Sequence, residues 1–259
     1  MKGAFELDIG KSLEKVNIFP GDTVMIHGNA GVAAQYRDIS AKNQINYLLS
    51  KILEYIGQAG TVVVPTFSYS FTKGEDFNPK LTPSRTGSFS EAFRLYPGAI
   101  RSKNPLFSVA AIGSHSKIFQ SSDINDSFGS NTCFGLMNDL DGKIISLGDD
   151  IKQGITYIHY VEQACNVSYR YMKKFNGNLI LDNNIRYIET TYYVRDLSIN
   201  SALDLSLFRD TASKAGLLYS HEAGRFPIMA IGAKDCSVIA ESLLIKNSNA
   251  LISERLSNS

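Results

Sequence analysis

At 259 residues, with 44% hydrophobic and 20% charged residues, the chain can bury a sizeable core, and its formal net charge of +1 sets up no global field for nucleic acid or an anionic membrane. No apolar run reaches the length of a membrane span, and Met1 to Asp8 lacks the apolar stretch of a signal peptide. Three cysteines (Cys133, Cys165, Cys236) form no C-x-x-C pair and are odd in number, which argues against a disulfide framework and for a reducing cytoplasm.

Leu13 to Pro20 forms the tail of an N-terminal helix and a turn, and Thr23 to His27 has the length and apolar content of a buried strand. The strand breaks into His27-Gly28-Asn29-Ala30-Gly31-Val32, small residues at a strand's carboxyl end, where open α/β sheets bind ligands and where backbone N–H groups can meet an anion. The spacing is neither G-x-G-x-x-G nor a P-loop, so no dinucleotide or NTP follows, and a plain βα turn remains open. Ser40 is positioned to cap the next helix, whose Ile45, Leu48, Leu49, Ile52, Leu53 and Ile56 recur at helical spacing up to Gly60.

Thr61 to Pro65 is a second buried strand, so strand–helix–strand favours a parallel crossover. The irregular stretch Thr66 to Ser88 carries Phe67, Tyr69, Phe71 and Phe77, which predicts an ordered flap at a pocket mouth. Ser88 to Leu95 is a short helix with Ser88 and Glu91 spaced as a capping box. Arg101 to Gly113 is a polar bend feeding a strand, and Arg101 with its neighbouring serines can hold phosphate or be a solvated charge. Ser130 to Gly135 is loop, Leu136 to Asp139 a short helix, and Lys143 to Leu147 another strand.

In a helix over residues 154–162, Thr156, His159 and Glu162 fall along one side, while Ile155, Ile158 and Val161 form an apolar stripe. Imidazole, carboxylate and hydroxyl on one face suit proton transfer, against the plainer alternative of a packed, hydrogen-bonded histidine. Beyond Asn166 the pattern alternates. Turns at Asn176-Gly177 and Asn183-Asn184 and the β-rich run Tyr187 to Val194 predict an antiparallel meander. A helix over Ser201 to Ala215, a strand over Phe226 to Ile231 and a helix over Lys234 to Lys246 complete the chain. No linker separates the parallel part (1–166) from the antiparallel and helical part (167–259), and the two are expected to pack as a single domain.

Four stretches together resemble the aminoglycoside 3-N-acetyltransferase family of coenzyme-A-dependent enzymes, which is distinct from the GNAT acetyltransferases. They are Gly21 to His27, Gly60 to Phe67, Arg101-Ser102 through Gly113, and Thr156 to Glu162, in family order over about the first two thirds of the chain. Tyr169 to Phe175 is similar to the branch that occurs with surface-polysaccharide genes. The resemblance implies a three-layer α/β/α sandwich with a mostly parallel central sheet, plus the C-terminal antiparallel meander. It also implies transfer of an acyl group, acetyl in the first instance, from acyl-CoA to the amine of an amino sugar, with no metal, and subunits paired by family habit.

By motif, His159 corresponds to the family's catalytic histidine and Glu162 to its nearby carboxylate; for the oxyanion formed on attack, Thr156 and backbone N–H groups at the start of the His159 helix are the candidates. His27, Gly28, Asn29, Ala30 and Gly31, with Arg101, Ser102, Ser108 and Val109, correspond to walls of the cofactor cleft. Thr66, Tyr69, Asn104 and Tyr160 are the acceptor-binding candidates. Many resistance members carry two serines where this chain has Gly28-Asn29, and a histidine where it has Asn104, so a different acceptor or acyl group is expected. The rival activities are aminoglycoside acetylation, hydrolysis with Cys133 or Ser130 as nucleophile, and sugar-nucleotide binding without turnover. The absence of G-x-S-x-G counts against the hydrolase. Four histidines without an H-E-x-x-H pair count against a metal centre.

Overall fold

The computed structural model describes residues 7–182 and 184–253. Strand β1 (Thr23–Gly28) lies between β2 (Thr61–Pro65) and β5 (Lys143–Leu147), parallel to both. Strand β4 (Val109–Gly113) adds antiparallel to β2 and carries the two-residue β3 (Ile100–Arg101) at the edge. On the other side β9 (Phe226–Gly232) runs antiparallel to β5, and β8 (Leu218–Ala223) to β9. The order is β3-β4-β2-β1-β5-β9-β8, so the parallel strands form the centre of a mixed seven-stranded sheet.

Period-two alternation splits the sheet's side chains into two cores. Val24, Ile26, Val62, Val64, Ile145 and Leu147 share one cluster with Leu13 of α1 (Ile9–Lys15), Leu48 and Ile52 of α2 (Gln44–Ile56), and Phe89 and Phe93 of α3 (Ser88–Arg94). Met25, Val63, Ile144, Met229 and Ile231 face the opposite cluster, joined by Phe119 of α4 (Ser116–Gln120) and Phe134 of α5 (Cys133–Asp139). Ile158 of α6 (Ile158–Ala164), Phe208 of α7 (Ser206–Lys214) and Cys236 of α8 (Ala233–Lys246) complete that cluster. The result is the expected three-layer sandwich.

The antiparallel part is a hairpin, β6 (Arg170–Leu181) with β7 (Asn184–Arg195), that packs Leu179 and Ile188 onto the second core. Asn176-Gly177 is not a turn. Gly177 pairs with Ile188 inside the ladder, and a Cβ there would meet the Phe71 ring at 2.8 Å. The glycine serves close packing of the flap onto the strand. The chain reverses instead at Asp182, whose φ is 50°, with Asn183 outside the described residues.

Local signals differ in four further places. Ser40 precedes a 3-10 turn and makes no side-chain cap, and Gly87, not Ser88, occupies the cap position of α3. The helix expected from Ser201 starts at Ser206, and β8 emerges only through pairing with β9, its own residues being largely polar and exposed. No helix among the described residues is long and apolar enough to cross a membrane.

Candidate active site

At the carboxyl ends of β1, β2 and β5 a cleft of about 300 Å3 opens, lined by His27, Gly28, Pro65, Tyr69, Asp149 and Thr156, among others. It lies where parallel α/β sheets gather ligand-binding groups. Thr156 sits in the turn just before α6, and its carbonyl accepts the His159 N–H at 3.0 Å. The helix starts at Ile158 and not at 154, so Ile155 and Thr156 precede it, but Ile155, Ile158 and Val161 are all buried as expected and fix the segment. Tyr157 ties the same end to α8 through a 2.9 Å bond between its hydroxyl and that of Ser237.

With that stripe inward, His159 and Glu162 project together as the spacing predicts. Nδ1 of His159 lies 2.5 Å from Oε2 of Glu162, whose side chain is 0% exposed while the imidazole is 17% exposed. A carboxylate can only accept, so Nδ1 carries the proton and Nε2 keeps its lone pair. Among the described residues Nε2 has no hydrogen-bond partner. Burial lowers the imidazole pKa below its ordinary 6.5, against the upward pull of Glu162, so the ring is neutral at pH 7. Phe128 packs against the imidazole in a T-shaped contact, with centroids 5.4 Å apart.

Two residues of the carboxylate's environment were not picked out from the sequence. The Tyr169 hydroxyl donates to Oε1 of Glu162 at 2.9 Å. Nε of Arg170 lies 2.7 Å from Oε2, an ion pair in which the N–H is not aimed as a hydrogen bond. Despite burial, hydrogen bonding from His159 and the nearby Arg170 charge hold the Glu162 pKa below its usual value. The available signal was Tyr169-Arg170 at the start of an alternating strand, seven and eight residues past Glu162, but only the fold turns both inward.

Several expected ligand contacts are instead internal braces. Arg101 is buried and donates to the carbonyls of Thr66 and Thr82 and, at 3.1 Å, to the Ser108 hydroxyl, with its guanidinium over the Phe77 ring. It has not been placed to meet phosphate. Ser102 accepts from the Val109 N–H at 2.9 Å, and Ser108 donates to the Thr66 carbonyl at 3.0 Å, so Ser102, Ser108, Val109 and Thr66 close the flap onto β4. Asn104 pins a turn, accepting from the N–H groups of Leu106 and Phe107 and donating to the Asp126 carbonyl. Tyr160 leans on Tyr157 in the second core and feels the charges of Asp139 and Glu241, away from the cleft.

The loop after β1 offers no free nest for an anion either. The Asn29 N–H goes to the Leu147 carbonyl, that of Gly31 to Asn29 Oδ1 at 2.8 Å, and that of Val32 to the Asn29 carbonyl. Asn29 also donates to the Asp149 carboxylate at 3.1 Å, and Ala30 starts the 3-10 turn that follows, so of this run only His27 and Gly28 line the cleft. Nε2 of His27 is buried without a partner, and burial lowers that imidazole to about 4. Tyr69 lines the cleft as expected, its hydroxyl pushed up to about 12 by burial and the neighbouring Tyr192. Cys133 is buried against Ser122 at 3.0 Å with its thiol pKa raised, which removes it as a nucleophile.

Residues 35–245 match the aminoglycoside 3-N-acetyltransferase family. The fold is similar to that of aminoglycoside acetyltransferase AAC(3)-Xa, at 19% identity and a TM-score of 0.78 over 93% of each chain. AAC-IIIb in a binary complex with CoASH superposes with a TM-score of 0.78 at 17% identity, over 92% of this chain and 95% of that one. Sisomicin-bound AAC-VIa does so with a TM-score of 0.78 at 18% identity, over 91% and 96%.

Proposed function

The chain belongs to the aminoglycoside 3-N-acetyltransferase family of N-acyltransferases, and from that footing we propose that it moves an acyl group, acetyl in the simplest case, from coenzyme A to the amine of an amino sugar, with His159 as general base. The observation that carries this reading is the polarity of one imidazole: Nδ1–H engaged by a fully buried carboxylate, Nε2 unpartnered among the described residues, and a pKa held low enough for the free base at neutral pH.

In this reading the acyl thioester enters the cleft at the strand ends with its carbonyl beside Thr156; His159, three residues on, is not among the residues that line the cleft, so the attacking amine has to lie between the two. Nε2 of His159 takes one proton from the attacking nitrogen as the C–N bond forms at the thioester carbon. The Thr156 hydroxyl donates to the oxygen on which negative charge develops. Backbone N–H groups at the start of α6 do not share this work, because those of Ile158, His159 and Tyr160 are bonded to the carbonyls of Ile155, Thr156 and Tyr157. As the tetrahedral centre collapses the C–S bond breaks, and the departing sulfur recovers the proton from His159. Direct attack needs no enzyme nucleophile, in keeping with the burial of Cys133.

For the acceptor we favour a nucleotide-linked amino sugar destined for surface polysaccharide. Aminoglycoside acetylation is the second reading, supported by the family match. A thiol-release screen of acyl-CoAs against amino-sugar nucleotides and aminoglycosides tests both. Release that depends on an amino-sugar nucleotide is the expected result. Release without any acceptor would make the protein a thioesterase, and release with aminoglycosides alone would select the second reading.

A further inference from the structure

We infer that Arg170 is a positioning residue of the site: by pairing with Glu162 it supplies that carboxylate's counter-charge, so that Glu162 can orient His159 without holding it protonated. This rests on the general-base role proposed for His159.

The geometry sets the problem. Oε2 of Glu162 serves two partners at once, Nδ1 of His159 at 2.5 Å and Nε of Arg170 at 2.7 Å, in a place where the carboxylate is 0% and the guanidinium 4% exposed. A carboxylate sealed from water needs a cation or a proton. With imidazole as its sole partner, the favourable state at so short a distance is imidazolium–carboxylate, because the local dielectric strengthens the attraction. An imidazole already protonated cannot accept the amine's proton. Arg170 removes that pressure, since a guanidinium stays charged at every working pH.

Arg170 is itself anchored, its Nη1 donating to the Tyr193 carbonyl at 3.2 Å, so hairpin β6–β7 delivers the cation to the base of α6. The charged groups that act on the ring are Glu162 on α6 and Arg170 at the start of the hairpin, and Tyr169 with Tyr192 and Tyr193 on β7 surround that Glu162–Arg170 pair. Asp126, from the segment before α5, is engaged by Gln163 at 3.0 Å. Tyr169 donates to the other carboxylate oxygen and restricts rotation of the carboxylate, but it brings no charge. Of these groups Glu162 raises the His159 pKa and Arg170 opposes it, in the sense the inference requires.

The test is the titration of the His159 ring, followed by NMR in the substrate-free protein, together with the pH dependence of kcat/KM. Arg170→Met is expected to raise the His159 pKa by about one unit or more, moving the acid limb of kcat/KM with it, so that activity lost at neutral pH returns about tenfold per unit as pH rises. Arg170→Lys, which keeps the charge, should leave the limb near that of the parent. Should Arg170→Met fail to fold, Arg170→Gln retains a donor for the Tyr193 carbonyl without the charge and is expected to shift His159 in the same direction. An unmoved His159 pKa in a folded, uncharged variant overturns the inference, as does an equal shift in Arg170→Lys. The ring titration does not require turnover, so failure of the base role, seen as undiminished transfer in His159→Ala, is read separately.

Discussion

The ring of Phe89 occupies the space in which a side chain at position 28 would begin: a Cβ on Gly28 would lie 2.3 Å from the Phe89 Cδ1. The ring is buried in the core and projects from α3 onto the end of β1. The glycine therefore admits a neighbouring aromatic, rather than merely leaving room for a ligand. Gly28→Ser should destabilise the fold by about 1–3 kcal/mol through overpacking. Thermal unfolding of Gly28→Ser, Phe89→Ala and the double variant checks it. The double variant should be more stable than the sum of the two single losses allows, and simple additivity would show that the two positions do not compete.

Arg101 leads to a second expectation, about cofactor affinity. Its guanidinium satisfies the carbonyls of Thr66 and Thr82 and the Ser108 hydroxyl inside the flap. Arg101→Met takes the guanidinium donor from the Thr82 carbonyl and the Ser108 hydroxyl, and leaves the Thr66 carbonyl only its bond from Ser108, at a cost of roughly 1–3 kcal/mol for each group left unpaired. The expected outcome is a large fall in unfolding temperature with an unchanged KM for acyl-CoA. A raised KM in a protein of parental stability would return Arg101 to phosphate binding.

These two positions show where the chain's chemistry could be read in advance. The buried strands were legible as short apolar runs bounded by turn residues, and the His159–Glu162 pair because residues three apart share a helix face. The parallel centre followed from strand–helix–strand order. Arg101, Ser102 and Asn104 looked like ligand-binding groups because a polar side chain's partners are set by what folds over it, and their partners lie up to 35 residues away along the chain. Arg170 was invisible as a partner of Glu162 for the same reason. Gly177 misled because Asn-Gly is a strong turn signal, which Phe71 overrides by needing a bare strand beneath it.

Loss of the imidazole itself should show in the rate and not in folding. His159 meets Phe128 in a T-shaped contact, and its replacement by Ala or Gln leaves Glu162 paired with Arg170 and Tyr169. Steady-state transfer by His159→Gln should fall on the order of 10²- to 10⁴-fold in kcat, with acyl-CoA binding by calorimetry close to that of the parent. Transfer within a few-fold of the parent would remove His159 from the chemistry.

Stability should fall on mild acidification, and His27 is a main contributor. Its imidazole is lowered from 6.5 to about 4 by burial, so between those values the unfolded chain binds more protons than the folded one. Folded stability therefore rises with pH across that window and is lost as pH drops from 6.5 towards 4, by roughly 3 kcal/mol if the whole shift is expressed. His159, also lowered, adds a loss of the same sign. Urea unfolding at pH 7.5 and pH 5 should show the drop, and His27→Gln should flatten it without abolishing it. An unchanged pH slope in His27→Gln would mean that the ring is solvated in the folded protein.

Thr156 offers the sharpest separation of chemistry from binding. Thr156 lines the cleft three residues before His159, and its carbonyl is already committed to the His159 N–H. Thr156→Val keeps the β-branched shape and the backbone bond and removes only the hydroxyl donor. If that donor meets the developing oxyanion, its interaction exists in the transition state and hardly at all in the ground state, so kcat should fall roughly 10²-fold with little change in KM for either substrate. Thr156→Ser, which restores the hydroxyl, should recover most of the rate. Parallel losses in both variants would point to packing of the turn, and a rise in KM at constant kcat would place the hydroxyl against the bound thioester rather than the transition state.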